Sequence, residues 1–309
     1  MLMKQSLVSL LFIISFHLLG FAQPDDLSIM MEEAMGTSNE PDYATATFKT
    51  TRLVNGHTNE QVAPGVLDFR IGHRFGAFNT GVYNFFGLDQ ATMRMALEYG
   101  INNWLMIGAG RSTYQKTYDG FLKAKILRQQ KGKKNIPISL NYLGAMAVKT
   151  LKFSNPENTN FYTSNFFYTH QLIIARKFSD SFSFQVLPTL VHRNLVEKVT
   201  DEHDIYSIGV GGRMKLNKRT SVNIEYFYQI NKPRDVVNSL AIAFDIETGG
   251  HVFQLAFTNA AAMIEHAFIT QTTGRWDKGD IIGGFNLSRV FTLKDPRKKG
   301  TKNEDASTN

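Results

Sequence analysis

The chain has 309 residues, with 34 Lys and Arg against 27 Asp and Glu, which gives a formal net charge of +7. It contains no cysteine, and this excludes a disulfide scaffold, a thiolate metal centre, a cysteine nucleophile and an acylated-cysteine anchor. Beyond residue 22 no run of 18 apolar residues occurs, which excludes a helical membrane protein.

The first 22 residues predict an export signal. Lys4 precedes a 13-residue apolar run at 7–19, which is too short to span a bilayer as a helix. Gly20 and Ala22 place small residues three and one positions before the expected cleavage point. We therefore expect cleavage after Ala22 and export of the mature chain.

Twelve segments of the chain alternate apolar with polar residues and are rich in β-branched and aromatic side chains, which predicts strands. The predicted strands are 66–75, 91–101, 104–113, 117–129, 135–149, 165–178, 182–194, 204–216, 220–231, 239–248, 250–259 and 279–291. Most are long enough to cross a membrane at a tilt, whereas strands of soluble sandwiches are usually about 5–6 residues long.

The connections between these strands also favour a membrane barrel. Those after odd-numbered strands are mostly long, as at 78–90 and 259–278, whereas those after even-numbered strands are short, as at 102–103 and 217–219. Outer-membrane barrels have short periplasmic turns and longer extracellular loops. We predict an all-β protein with a single closed antiparallel transmembrane β-barrel of about 12 strands, whose two ends lie on the periplasmic side.

The predicted organisation has four parts. Residues 1–22 form the signal peptide, 23–63 a periplasmic N-terminal segment, 64–293 the barrel and 294–309 a disordered basic tail. Residues 44–56 have the pattern of an extra strand, but a thirteenth wall strand would break the even count. We therefore expect this piece inside the lumen or across the barrel mouth.

Several long motifs of the chain resemble those of one family. They are FKTTRLVNGH (48–57), GVLDFRIGHRFG (65–76), FGLDQATMR (86–94), KTYDGFLKAKILRQ (116–129), PTLVHRN (188–194), DIETGGHVFQLAFTN (245–259) and GDIIGGFNLSRVF (279–291). Together they resemble an uncharacterised family of outer-membrane β-barrel proteins from Bacteroidetes-type bacteria, a domain of unknown function. The resemblance implies the barrel fold and carries over no catalytic residue.

Charged residues that share the polar phase of the strands are predicted to line the lumen. They are Asp68, Arg70, Arg74, Arg94, Glu98, Lys123, Lys125, Arg193, Arg213, Lys215, Glu225, Asp245 and Glu247. Two interpretations follow. Arg74, Lys123 and Arg193 could form a basic constriction that favours anions in a narrow pore. Alternatively, the charges pair with one another and close the lumen, because buried charges must be paired.

Other candidate sites are weaker. His73, His170 and His192 lie on the apolar phase, where they fit an interfacial girdle; with Ser112 or Ser164 they would suit a lipid-modifying enzyme, although no serine has an evident partner position. At the turn near residue 248, Asp245, Glu247 and His251 could hold a divalent ion, or the two acids could pair with Arg213 or Lys215. The helix-like stretch 260–269 could form a lid or plug.

We therefore predict an outer-membrane barrel that is either a narrow pore or a closed structural barrel with a charged lumen. The alternative is an outer-membrane lipid-modifying enzyme with lipid-facing histidines. We expect no cofactor, no metal and no nucleic-acid partner. We expect a monomer in contact with outer-membrane lipid and lipopolysaccharide, and a small anionic solute is the candidate ligand.

Overall fold

A computed structural model of the chain describes residues 41–132, 134–152, 161–196, 199–233, 235–249 and 251–294. The chain divides into two compact units, and the larger one, Tyr43–Lys131 with Asn135–Asn309, contains the barrel. The smaller unit, Met1–Asp42 with Gly132–Lys134, has few described residues. The predicted signal peptide and the predicted tail beyond residue 294 lie outside the described residues.

Twelve long strands form the wall. They are β1 (Val66–Ala77), β2 (Ala91–Gly100), β3 (Leu105–Ser112), β4 (Thr117–Leu127), β5 (Ser139–Lys149), β6 (Phe166–Lys177), β7 (Phe182–Arg193), β8 (Asp204–Lys215), β9 (Thr220–Gln229), β10 (Ser239–Thr248), β11 (His251–Thr258) and β12 (Ile282–Thr292). Consecutive strands pair antiparallel, and β12 pairs with β1 to close the barrel. The prediction of a closed barrel of twelve strands is confirmed, and the predicted strand ends agree to within four residues.

The other regular structure in the described residues is short. Two two-residue strands lie at Asp42–Tyr43 and Gln130–Lys131, and the helix α1 spans Glu265–Thr270. Single 3₁₀ turns or pairs of turns occupy Phe78–Thr80, Val82–Gly87, Tyr114–Lys116, Tyr162–Asn165 and Trp276–Lys278. In the described part of the chain, no helix is long and apolar enough to cross a membrane.

Three of the short connections are closed by a polar side chain at the first turn position. Asn102 Oδ1 accepts the N–H groups of Trp104 and Leu105, and Asn217 Oδ1 accepts the corresponding two N–H groups between β8 and β9. Ser179 accepts in the same way between β6 and β7. A short polar side chain that caps its own turn replaces the backbone partners that a longer loop would need, so these strands can reverse within a few residues.

Residues 47–59 form a tight reversal inside the barrel and not a wall strand; we call them the inner hairpin. The Leu53 N–H donates to Gly56 O at 2.8 Å and the Thr58 N–H donates to Thr51 O at 2.9 Å. Apart from Lys49 and Thr50, which are half-buried, every residue of the inner hairpin is buried. The wall of the barrel surrounds it with hydrogen-bonding side chains, which are described below.

The connection between β11 and β12 also folds inward. Its helix α1 is shorter than the predicted stretch 260–269, and all six of its residues are buried. Ala260, Met263 and Ile264, which precede it, are at most 5% exposed. The interior therefore receives two segments from outside the wall, the inner hairpin and the segment 260–272.

The outward face of β11 tests the predicted contact with lipid. Leu255 lies near the middle of β11 and is 41% exposed, whereas Leu216 follows β8 at a short turn and is 56% exposed. We expect Leu255→Arg to lower the free energy of unfolding by about 2–4 kcal/mol, because the charge meets the hydrocarbon layer, and Leu216→Arg by at most about 1 kcal/mol near the interface. Urea unfolding in lipid vesicles measures both; equal losses would contradict a lipid-facing surface.

Candidate functional site: the filled interior of the barrel

A carboxylate of the wall binds the turn of the inner hairpin. Glu225, on β9, accepts the backbone N–H groups of Val54, Asn55 and Gly56 at 3.0, 2.8 and 3.2 Å. Such turn N–H groups are costly to bury unless they are paired, and an ionised oxygen is a strong acceptor. Gly56 is required there because a Cβ atom would lie 2.9 Å from Cζ of Phe227.

A lysine of the wall binds the carbonyl groups of the same segment. The Lys123 ammonium, fully buried on β4, donates to the carbonyl oxygens of Thr51, Thr58 and Glu60 at 3.3, 3.1 and 2.5 Å. An ammonium has three donors and no acceptor, so these three bonds use its full capacity. The lysine therefore holds both arms of the inner hairpin together.

Side-chain amides of four further strands complete this contact. The donor and acceptor pairs are Asn141 to Asn59 O at 2.9 Å, Gln185 to His57 O at 2.9 Å, Gln254 to Leu53 O at 2.7 Å and Asn286 to Val54 O at 3.1 Å. All four amides are at most 8% exposed. The predicted lumen-lining set contains charged residues only and omits these four amides, although each lies in the polar phase of its strand.

An ionic cluster joins the hairpin, the segment before β12 and the wall. Arg52 Nη1 lies 2.5 Å from Oε1 of Glu265 on α1, and Arg52 Nε lies 3.5 Å from Oε1 of Glu98 on β2. Glu98 also accepts the Thr51 hydroxyl at 2.5 Å. Next to it, Arg70 lies 3.4 Å from Asp68 and 4.0 Å from Glu98. Thus the hairpin binds the Glu98 carboxylate of the wall and the Glu265 carboxylate of α1.

Two other predicted arginines have different partners. Arg94 forms a two-pronged ion pair with Asp119 on β4, with Nε 3.0 Å from Oδ1. Arg74 is fully buried and donates to the amide oxygens of Asn55 and Asn286 at 2.9 and 3.0 Å. In the described residues, amide and backbone oxygens supply the acceptors of Arg74 and Lys123, and neither forms a direct ion pair with a carboxylate.

The acids near the β10–β11 turn are also paired differently from the expectation. Asp245 accepts hydrogen bonds from Ser221, Asn223 and Gln254 at 2.6–2.9 Å, and Glu247 pairs with Lys49 of the inner hairpin. Neither acid pairs directly with Arg213 or Lys215. In the described residues no group of three or more His, Asp or Glu side chains could hold a metal ion.

The remaining predicted residues lie at the periphery of this network. Arg213 donates to Ser221 Oγ at 3.2 Å and to Ala46 O at 3.2 Å. Arg193 is 9% exposed and donates to Glu202 O at 2.5 Å. Lys125 and Lys215 are half-buried. The structure therefore places the predicted constriction residue Arg193 apart from the contacts that Arg74 and Lys123 make with the hairpin.

Part of the interior is apolar, which was not among the predictions from sequence. Inward side chains from several strands pack with α1 there: Met106, Phe121, Leu143, Ile173, Leu187, Val191, Ile205 and Phe227 with Phe268 and Ile269. A signal was available, because apolar residues share the inward phase with polar ones, as Leu187 does with Gln185 and Thr189. An interior lined in this way is packed like the core of a soluble protein.

One side chain of α1 is kept neutral by burial, and one small cavity lies among the buried arginines. Burial lowers the pKa of His266, on α1, to about 4, and its ring stacks on Phe167 at 4.2 Å. A cavity of about 20 Å³ lies between Arg52, Arg70, Arg94 and Met263, enough for one water molecule or small ion. The inner segments thus leave little free space among the buried arginines.

The three outward histidines have aromatic and acidic partners. His170 Nδ1 lies 2.7 Å from the Tyr142 hydroxyl, His192 Nδ1 lies 2.6 Å from Asp204, and His73 stacks on Phe285 at 5.2 Å. Within the described ranges, the structure brings none of these rings into a hydrogen bond with Ser112 or Ser164. This geometry does not assemble the nucleophile and base that the alternative of a lipid-modifying enzyme needs.

Replacing Glu225 tests the contact with the hairpin turn. We expect Glu225→Gln to lower the free energy of unfolding by about 1.5–3 kcal/mol, because a charged acceptor of three buried N–H groups is lost. Glu247→Gln is the matched control: its partner Lys49 is half-buried near the rim, and such pairs contribute at most about 1 kcal/mol. Urea unfolding in vesicles compares the two, and an equal loss would contradict the assigned role of Glu225.

Among curated proteins none matches the chain. Several solved structures do: the NanC porin is 8% identical, with 73% of this chain and 98% of that chain covered at a TM-score of 0.46. The KdgM porin is 10% identical (73% and 99% covered, TM-score 0.46), and an outer membrane channel from Pseudomonas putida F1 is 9% identical (75% and 97% covered, TM-score 0.47).

These structural similarities are too remote to carry an argument about activity. The family comparison is more informative, because one family model covers residues 48–291, from the inner hairpin to the last strand. Its description is "Membrane bound beta barrel domain (DUF5777)". The match extends over most of the chain and includes all twelve wall strands except the last residue of β12. The chain therefore belongs to this family of membrane-bound β-barrel domains.

Proposed function

We propose that this protein is an outer-membrane β-barrel with a charged lumen that the inner hairpin and the segment 260–272 close in the resting state. The membrane-bound family and the predicted export signal, cleaved after Ala22, support the location. Outer-membrane lipid and lipopolysaccharide are the expected surroundings. Of the two interpretations of the lumen, the contacts favour the closed barrel over the open anion-selective pore.

The observation that carries the proposal is that Glu225 and Lys123, two charged residues of the wall, both bind the backbone of the inner hairpin. In an open pore, charged side chains of the wall would be hydrated and would face passing ions. Here the Glu225 carboxylate binds three N–H groups of the hairpin and the Lys123 ammonium binds three carbonyl groups. Both charged groups bind a segment that occupies the lumen. They therefore stabilise closure instead of selecting solutes.

The second closing segment meets the hairpin at Glu265 and packs on wall strand β9 through Phe268. The guanidinium of Arg52 on the hairpin pairs with Glu265 on α1, and the Phe268 ring contacts Phe227 at 5.0 Å. Removing one partner of an ion pair this buried strongly destabilises the protein, because the other charge remains buried without a partner. We therefore expect the hairpin and the segment 260–272 to hold each other in place.

Conductance across a planar lipid bilayer tests closure. We expect the wild type to show no ion-conducting steps. Gly56→Leu should produce them, since its side chain would collide with Phe227 and displace the hairpin turn. Gly120→Leu is the matched control: a Cβ atom there meets only Gly108 O, at 3.7 Å, so this variant should stay silent.

Two outcomes would contradict the proposal. A wild type that conducts, with an anion preference that falls on replacing Arg74, Lys123 and Arg193 by Gln, would establish the basic constriction instead. A folded variant that lacks residues 47–59 and still shows no conductance would show that the inner hairpin is not what closes the barrel. Heat-modifiable migration on gels verifies folding of every variant.

A further inference from the structure

The connection between β1 and β2 exposes an unusual apolar surface. Residues 78–88 read FNTGVYNFFGL and contain no charged side chain. The large apolar side chains of this loop and their exposed fractions are Phe78 37%, Val82 76%, Tyr83 94%, Phe85 60%, Phe86 49% and Leu88 43%. Contiguous apolar patches on a protein surface mark sites of contact with another apolar phase or partner.

The loop begins on the outward face of the wall. Its Phe78 N–H donates to Ile281 O at 2.9 Å, and the Phe78 ring lies 6.4 Å from the ring of Phe257. Phe257 pairs with Gly283, and both share the outward phase of Leu255. A Cβ atom at Gly283 would lie 2.6 Å from Cζ of Phe78, so the missing side chain makes room for the ring.

Aromatic rings connect this start to the rest of the outward face. Phe253 stacks on Phe285 at 5.9 Å, Phe285 stacks on His73 at 5.2 Å, and His73 contacts Phe75 at 4.5 Å. All four residues project outward from β11, β12 and β1. Phe75 lies three residues before Phe78, so the apolar surface of the loop continues the surface that faces lipid.

The backbone holds two phenylalanines in an unfavourable conformation. Phe85 and Phe86 have φ angles of 45° and 53°, a left-handed region that bulky residues rarely adopt. The Phe86 N–H donates to Gly81 O at 2.8 Å and the Leu88 N–H donates to Phe85 O at 3.1 Å, which fixes this shape. Such strain persists only where the surroundings impose it and is concentrated at functional segments.

We propose that Val82, Tyr83, Phe85 and Phe86 insert into the outer leaflet of the membrane, at the boundary between headgroups and acyl chains. Aromatic and apolar side chains on an uncharged segment bind this boundary through the apolar area that they bury there. The continuous outward surface argues for lipid over a protein partner, because the loop extends a surface that already contacts lipid. The loop then fixes the depth and tilt of this side of the barrel.

Spin labelling of single cysteine variants in lipid vesicles tests the insertion, since the chain has no native cysteine. A label at Tyr83→Cys should be accessible to oxygen, which concentrates among acyl chains, and shielded from a water-soluble nickel complex. The control is Val199→Cys, which is fully exposed in the connection between β7 and β8, beside Asp201 and Glu202. We expect an oxygen-to-nickel accessibility ratio several-fold higher at position 83 than at 199.

Equal ratios at the two positions would overturn the proposal and leave the loop in water, as a surface for a protein partner. Both substitutions affect exposed side chains, so folding is expected to be unaffected. A second label at Phe85→Cys guards against a local effect at residue 83. It should give the same high ratio, and a low ratio at both positions would reject insertion of the loop.

Discussion

A charged side chain inside a barrel wall is stable only where it finds hydrogen-bond partners, and a hairpin inside a barrel is stable only where its backbone does. Here the charged side chains of the wall and the backbone of the hairpin are each other's hydrogen-bond partners. Glu225 accepts the N–H groups of the hairpin turn, and Lys123 donates to the carbonyl groups of its arms. A buried carboxylate or ammonium without these partners would be very costly. The position of the hairpin and the identity of the wall residues therefore depend on each other.

This constraint explains why the interior is divided. A barrel of twelve strands is wider than the small barrels whose lumen side chains alone can fill, and narrower than the large porins. The inner hairpin brings polar backbone against amides and charges of the wall, among them Asn141 on β5 and Gln185 on β7. On the same two strands Leu143 and Leu187 belong to the apolar cluster that includes Phe268 and Ile269 of α1. The same strands therefore carry polar inward side chains where they meet the hairpin and apolar ones where they meet α1.

The strands could be predicted from sequence because their signal is local. Alternation with a period of two reflects the two faces of a strand, and turn residues such as Asn102 act on their immediate neighbours. The pairing inside the lumen could not be predicted in this way, since Glu225 and Val54 are 171 positions apart. The inward phase of Glu225 follows from the pattern; its choice of backbone N–H groups over an arginine depends on where the hairpin lies. Glu265, a partner of Arg52, was missed because it lies in the connection between β11 and β12, outside the alternating pattern of the strands.

Hydrogen–deuterium exchange of the backbone amides in residues 51–58, measured on the protein in lipid vesicles, tests the central claim most directly. The amides of Val54, Asn55 and Gly56 have the Glu225 carboxylate as their acceptor and are enclosed by the wall. We expect them to be as strongly protected as the amides of the wall strands, and the Glu225→Gln variant to lose much of this protection. Exchange in the wild type as fast as in an unstructured peptide would contradict a hairpin that fills the lumen.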